Sequence, residues 1–111
     1  MAQAIDKADW ARYCERLSDV LQANKAEIEV ASLELGDQIE AEWLPFLGIS
    51  YDEKDDVIDI ALDGVDHIIE HPRQLRADGN FAGLLTLEIR DSGGGQHLVR
   101  LKDALALPRP H

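Results

Sequence analysis

Val57-Ile58-Asp59-Ile60-Ala61-Leu62-Asp63-Gly64-Val65-Asp66-His67-Ile68-Ile69-Glu70 is the stretch whose reading decides the fold. Ile58, Ile60 and Leu62 fall on one parity and Asp59 and Asp63 on the other, the period-two pattern of a strand with one buried face. Asp63-Gly64 between two apolar runs is a strong signal for a two-residue hairpin. Strands at about 56–62 and 65–71 follow, with Pro72 marking an edge position or a break because it cannot donate to a ladder.

The same period extends outward in both directions. Upstream, Leu47, Ile49 and Tyr51 share one parity in a strand at 47–52, and the acidic run Asp52 to Asp56 reverses the chain. Ile39, Ala41 and Trp43 alternate with Gln38, Glu40 and Glu42 in a half-buried strand at 38–44, which Pro45 interrupts. Gly36-Asp37 reads as a tight turn. Glu27 to Val30 alternate in a strand at 26–33, but Leu33 and Leu35 take the opposite parity, which calls for a bulge near Ala31 and Ser32 or a reversal there. Downstream, 73–77 is a weaker strand, Asp78-Gly79-Asn80 a loop, and 84–90 a strand in which Leu85, Leu87 and Ile89 alternate with Thr86, Glu88 and Arg90. Asp91 to Gly95 makes a final hairpin returning through 96–101, and 103–111, with Pro108 and Pro110, reads as a loose tail.

Only the N-terminus has a different period. Trp10, Tyr13, Cys14, Leu17, Val20 and Leu21 form one stripe of a 3.6-residue repeat, which predicts a helix over about 7–22 with Asp6 or Asp9 as its cap and Asn24 as its stop. The class is therefore α+β: one N-terminal helix packed on a curved antiparallel meander sheet of six to seven strands, enough to curl toward a barrel. A single domain over 1–111 is expected from the length.

Composition narrows the function. The chain has 111 residues, 11 Lys plus Arg against 22 Asp plus Glu, a formal net charge of -11 and one cysteine. No apolar run approaches the roughly 20 residues of a membrane span. A single cysteine forms no internal disulfide and no thiolate cluster, so a soluble cytoplasmic protein is the default. So acidic a chain repels nucleic acid phosphates and anionic membranes, and neither is expected as a partner. The charge is also unevenly placed. Residues 34–70 hold twelve acids, from Glu34 to Glu70, against Lys54 alone, while the two flanks balance to zero. One reading is a solvated face that keeps the chain soluble, and the other is a docking surface for a basic protein.

Several motifs invite chemistry. His67-Ile68-Ile69-Glu70-His71 matches the H-x-x-E-H pattern of inverted zinc peptidases, which requires two histidines on one helix face with a glutamate as general base. Adjacent isoleucines, Pro72 and the upstream turn all argue against a helix here. On a strand, His67, Ile69 and His71 would share a face, leaving His67 and His71 as weak metal candidates and His67 more naturally beside Asp66 or a turn carboxylate. Asp52, Asp55 and Asp56 lack the glycine and bidentate glutamate of a calcium loop, so they read as a turn. Cys14, on the helix's apolar stripe, reads as a small buried hydrophobe, and Trp10 and Trp43 as core residues. Pro45-Phe46-Leu47 reads as an exposed contact patch.

The run Leu35-Gly36-Asp37-Gln38 through Trp43-Leu44-Pro45, then Gly48-Ile49-Ser50-Tyr51-Asp52, then Asp66-His67-Ile68-Ile69 with Pro72, and Leu87-Glu88-Ile89, resembles a family of small bacterial domains of unknown function over nearly the whole chain. The resemblance implies a stand-alone bacterial domain. It brings no activity, cofactor or catalytic residue, and directs attention to Tyr51-Asp52 and Asp66-His67. The expected function is a non-catalytic binding or regulatory domain using the acidic surface, with Tyr51, Asp52, Asp55, Asp56, Asp66 and His67 as binding candidates and no cofactor. The alternatives are a small hydrolase or metal-dependent enzyme around His67, Glu70 and His71, and an inhibitor that mimics nucleic acid.

Overall fold

The structure, a computed structural model, describes residues 3–22, 24–32, 36–79 and 84–103. Eight strands form one antiparallel sheet: β1 (Gln3–Ala4), β2 (Asn24–Ser32), β3 (Gly36–Asp52), β4 (Val57–Leu62), β5 (Val65–Glu70), β6 (Pro72–Gly79), β7 (Leu84–Asp91) and β8 (Gln96–Asp103). Their order is β1-β6-β7-β8-β2-β3-β4-β5. The α+β class holds, but among the described residues the strands number eight rather than six or seven, and the sheet they form does not close into a barrel. β1 is two residues long and carries no alternation to read, which is why the sequence pattern misses it.

β3 organises the molecule. Residues 36–45 pair with β2 and residues 46–52 with β4, so the two strands expected at 38–44 and 47–52 are one strand of 17 residues. The changeover falls at Trp43, whose φ of 50° bends the chain, and at Pro45, whose missing N–H is tolerated where a strand exchanges one partner for another. The Pro45 carbonyl instead accepts the Asp63 N–H at 2.9 Å. This bend corrects the exposed patch expected at Pro45-Phe46-Leu47. Phe46 turns inward, 1% exposed, and Leu47 alone of the apolar pair faces solvent at 58%. Trp43 is half-buried rather than core, with the Lys102 ammonium 5.6 Å from its ring centroid.

Other boundaries shift for local reasons. The bulge expected at Ala31 and Ser32 is absent, since these pair in register with Asp37 and Gly36; the register shifts lie between Ala26 and Glu29, and there the extra residues belong to β3, while β2 stays regular against β8. Gly36, at φ 68°, therefore opens β3 instead of forming a turn with Asp37. Pro72 is buried as the first residue of β6, the one ladder position besides an edge where its missing donor costs nothing, and β6 continues through Asp78 and Gly79. Leu33, Glu34, Leu35, Asn80 and tail residues 104–111 lie outside the described residues.

The helical segment is a 3-10 turn, Lys7–Asp9, followed by α1, Trp10–Val20. Neither Asp6 nor Asp9 caps it through a side chain; the Asp6 carbonyl accepts the Asp9 N–H at 2.8 Å. Trp10, Cys14 and Leu17 are buried, whereas Val20, placed on the stripe by periodicity, is 66% exposed. The Ser18 hydroxyl accepts the Ile49 N–H at 2.9 Å and reaches the Ile49 carbonyl at 2.7 Å. Ile49 turns these groups away from β4, so α1 satisfies the edge that β3 exposes once β2 has left it.

One core fills the space inside this folded sheet. Trp10 meets Tyr51 edge-on at 5.2 Å, and Ile28, Phe46, Ile58, Ile60, Leu75, Leu87, Ile89 and Val99 complete the apolar cluster. β5 and β8 stand four places apart in the sheet order, yet a side chain of one hydrogen-bonds a side chain of the other. The sheet therefore folds back on itself with β5 facing β8.

Candidate functional site

Three groupings of polar residues emerge, and they divide the residues that the sequence singles out. The first is the outer face of β3, β4 and β5. Because Ile58, Ile60, Leu62 and Ile69 point inward, Asp59, Asp66 and Glu70 point outward. Cross-strand registers Asp59↔Ile68, Ala61↔Asp66 and Ser50↔Asp59 place these residues on one surface. Asp52, Glu53, Asp55 and Asp63 extend it at the adjoining turns, where all four are exposed. The Asp52 carboxylate accepts the Lys54 N–H at 3.0 Å, an Asx turn that makes Asp52 to Asp55 a chain reversal.

Among the described residues, Asp59, Asp63, Asp66 and Glu70 form no ion pair with a base. Burial, then a hydrogen bond and like charge from Asp66, push the Asp59 carboxyl up to about 6. Its Oδ1 is shielded from solvent and has no hydrogen-bond partner among the described residues. The carboxylates on the opposite half of the sheet contrast with these: Arg100 bonds both Glu27 and Glu29 at 3.0 Å and holds Glu29 below the usual carboxylate range.

The second grouping is a joint at one end of the fold. Asp56, at φ 55°, accepts the Tyr51 hydroxyl at 2.8 Å, pairs with Lys7 at 3.2 Å and faces His71 Nδ1 at 3.5 Å. The Tyr51 bond leads the causes that lower the Asp56 carboxyl, and burial followed by Asp56 pushes the Tyr51 phenol up to about 12. The backbone joins the same elements, His71 N–H to the Asp56 carbonyl at 2.9 Å and Ser92 N–H to the His71 carbonyl at 3.0 Å. Tyr51 and Asp56 thus tie the β3–β4 turn to the corner between β5 and β6. His71, at φ 52°, lies outside β5 and does not share a face with His67, contrary to the strand reading of 65–71.

The third grouping is a chain of three side chains inside the fold. His67 Nε2 lies 2.9 Å from His97 Nδ1, and His97 Nε2 lies 2.8 Å from Asp91 Oδ2. Asp91 Oδ1 also accepts the Gly93 and Gly95 N–H groups at 2.9 and 2.8 Å. The carboxylate assigns the proton of His97 to Nε2, so neutral His97 accepts at Nδ1 from His67 Nε2–H. Burial first, then His97, lowers the His67 imidazole, with Glu40 opposing. Burial also works against the Asp91 carboxylate, but the bonds from His97, Gly95 and Gly93 outweigh it and hold Asp91 below its usual range. His67 therefore meets another histidine, not Asp66. His97 and Asp91 escape the sequence reading, although His97 shares the parity of Val99 and Leu101, and a polar residue on an apolar parity is the available signal.

A cleft of about 390 Å³ opens beside this chain, lined on one side by Ile68, Ile69, Glu70 and His71 and on the other by Asp91, Ser92, Gly93 and His97. Both ring nitrogens of His97 are already engaged within the fold. Among the described residues, no three His, Cys, Asp or Glu side chains stand together in an arrangement that holds a metal ion. Cys14 is fully buried and its thiol is raised by burial to about 11, as expected of an inert packing residue.

Comparison with known proteins places the chain among relatives of the same size. The model of a family of unknown function, DUF5335, matches residues 1–110. An uncharacterized protein of Aquifex aeolicus (strain VF5) is 39% identical over 107 residues, which is 96% of each chain. No solved structure matches. No helix among the described residues is long and apolar enough to cross a membrane.

Proposed function

We propose that this chain, which belongs to the DUF5335 family of unknown function, is a non-catalytic binding domain that docks a basic protein surface on the outer face of β3, β4 and β5. The observation that carries this reading is the carboxylate face without a paired base among the described residues, where burial first and then Asp66 raise Asp59 to about 6. Like charges forced together on a sheet surface are destabilising, and a cation placed beside them relieves the repulsion. Asp52, Asp55, Asp66 and Glu70 contribute to that surface. Tyr51 and Asp56 hold the β3–β4 turn beneath it, and His67 supports β5 from inside.

The test separates a specific face from bulk charge. Labelled decalysine is titrated at 50 mM salt against the wild type and against two double variants of equal net charge. Asp59→Asn with Asp66→Asn alters the face, whereas Glu15→Gln with Asp19→Asn alters exposed positions of α1. Binding weakened at least fivefold in the first variant alone supports the reading. Equal weakening in both means that net charge suffices and refutes it.

A further inference from the structure

We infer that the free edge of β5 takes an extended, basic segment of a partner protein as a ninth strand. This rests on the acidic-face reading and adds how the partner is held. The sheet's edges are treated unequally. β1 lies on β6, with Gln3 and Ala4 opposite Ala77 and Arg76, and Ile5 N–H continues to the Leu75 carbonyl at 2.9 Å. The β3 edge is satisfied by Ser18 at Ile49. β5 ends the strand order, and no strand among the described residues pairs with its second side.

Hairpin geometry identifies which backbone groups that edge offers. Leu62 and Val65 close the two-residue turn, so pairs Ile60↔His67 and Ile58↔Ile69 exchange hydrogen bonds, and His71 N–H to the Asp56 carbonyl continues the series. The intervening residues Asp66, Ile68 and Glu70 direct their N–H and C=O groups to the open side. Such a row is a template for strand addition, and natural sheets usually block it with charged side chains, lysine above all, with proline, with bulges or with a covering segment; the charges on β5 are the acids Asp66 and Glu70, which repel an acidic strand and attract a basic one. Val65 to Glu70 contains neither lysine nor proline. Ile68 lies on this edge 45% exposed, and the cleft lined by Ile68, Ile69, Glu70 and His71 opens along it.

Charge selects the occupant. An added strand continues the face of Asp66 and Glu70 with every second side chain, so those positions call for Lys or Arg. The alternate side chains turn toward the cleft, where Ile69 lies beside His97, Asp91 and Ser92, and a short uncharged side chain such as valine suits that mixed lining. A second copy fits poorly, because two β5 edges paired antiparallel about Ile68 set Asp66 of one against Glu70 of the other.

The probe is the labelled peptide Lys-Val-Lys-Val-Lys-Val-Lys, with Lys-Lys-Pro-Pro-Lys-Lys-Pro as its charge-matched twin, in which proline removes a bonding N–H from every register against Asp66, Ile68 and Glu70. Anisotropy titrations at 50 mM salt are run on the wild type and Ile68→Pro, with hydrogen exchange read residue by residue. The expected result is at least tenfold tighter binding of the valine peptide, new protection at Asp66, Ile68 and Glu70 amides, and loss of the tenfold preference in Ile68→Pro. Should Ile68→Pro not fold, a valine peptide N-methylated at its lysines, whose N–H groups face β5, replaces it on the wild type and must lose the same preference. Equal binding of the valine and proline peptides overturns strand addition while leaving the acidic face standing. No binding of either peptide removes both readings. Protection of the same three amides that grows with protein concentration and without peptide overturns the proposal in favour of self-pairing.

Discussion

Replacing Asp91 by alanine removes a carboxylate that receives three hydrogen bonds, from Gly93 N–H, Gly95 N–H and His97 Nε2–H. Bonds to a charged acceptor contribute roughly 1.5–3 kcal/mol each, and donors left buried and unpaired cost roughly 1–3 kcal/mol. The three share one acceptor and do not add, so the expected loss is about 3–4 kcal/mol. For a chain of this length that is a fall in Tm of about 12–16 °C. Asp91→Asn tests the reasoning more sharply. The amide oxygen still accepts from both glycines, and the NH₂ group faces His97 Nε2. His97 then changes tautomer, accepting at Nε2 and donating from Nδ1 to His67, for a cost of about 1 kcal/mol. Urea unfolding at pH 7, compared at constant m, measures both variants. Since the folded pKa of Asp91 is lowered, its contribution is present above the unfolded value of about 4 and is lost as pH falls below it. Asp91→Asn should lack that acid loss. An Asp91→Asn variant as damaged as Asp91→Ala, or an Asp91→Ala loss under about 1 kcal/mol, refutes the bonding scheme.

Asp59, raised to about 6, titrates with the opposite sign: its stabilising term is present below about pH 4 and lost as pH rises through 6. Asp59→Asn should therefore stabilise the protein by about 1 kcal/mol at pH 7, after allowance for solvent screening, with the gain vanishing near pH 4 in paired urea titrations. Cys14 should remain unreactive to a disulfide reagent at pH 8 in the native protein and react stoichiometrically in 6 M guanidinium, as a thiol raised to about 11 and fully buried requires.

Much of this architecture is legible in the chain because each feature is local. The alternation of Ile58, Ile60 and Leu62, the Asp63-Gly64 turn, the Asx turn at Asp52 and the stripe of Trp10, Cys14 and Leu17 each depend on residues within one element or one turn. The concentration of acids between residues 34 and 70 is likewise a count. Where expectation and structure part, a non-local partner decides. Phe46 is buried because β3 changes partner at Trp43 and Pro45, and neither β2 nor β4 is visible in the residues around that bend. Val20 is 66% exposed while its neighbour Leu21 packs partly against the core, a division of the stripe set by how α1 lies on the sheet.

The residues proposed to bind divide for the same reason. Tyr51, Asp52, Asp55 and Asp56 are neighbours in sequence, yet the turn sends Tyr51 and Asp56 into one joint and leaves Asp52 and Asp55 in solvent. His67 lies 30 residues from His97, and only the folding of the sheet onto itself brings the two rings to 2.9 Å. Sequence by itself determined the strand-rich class, the helix, the turns and the acidic middle, since backbone preference and side-chain parity act over a few residues. Tertiary structure decided, among the described residues, which edge has no strand beside it, which carboxylates lack a base and which histidines meet, because those depend on the strand order, and pairing between strands far apart in the chain is set by the packing of the whole core.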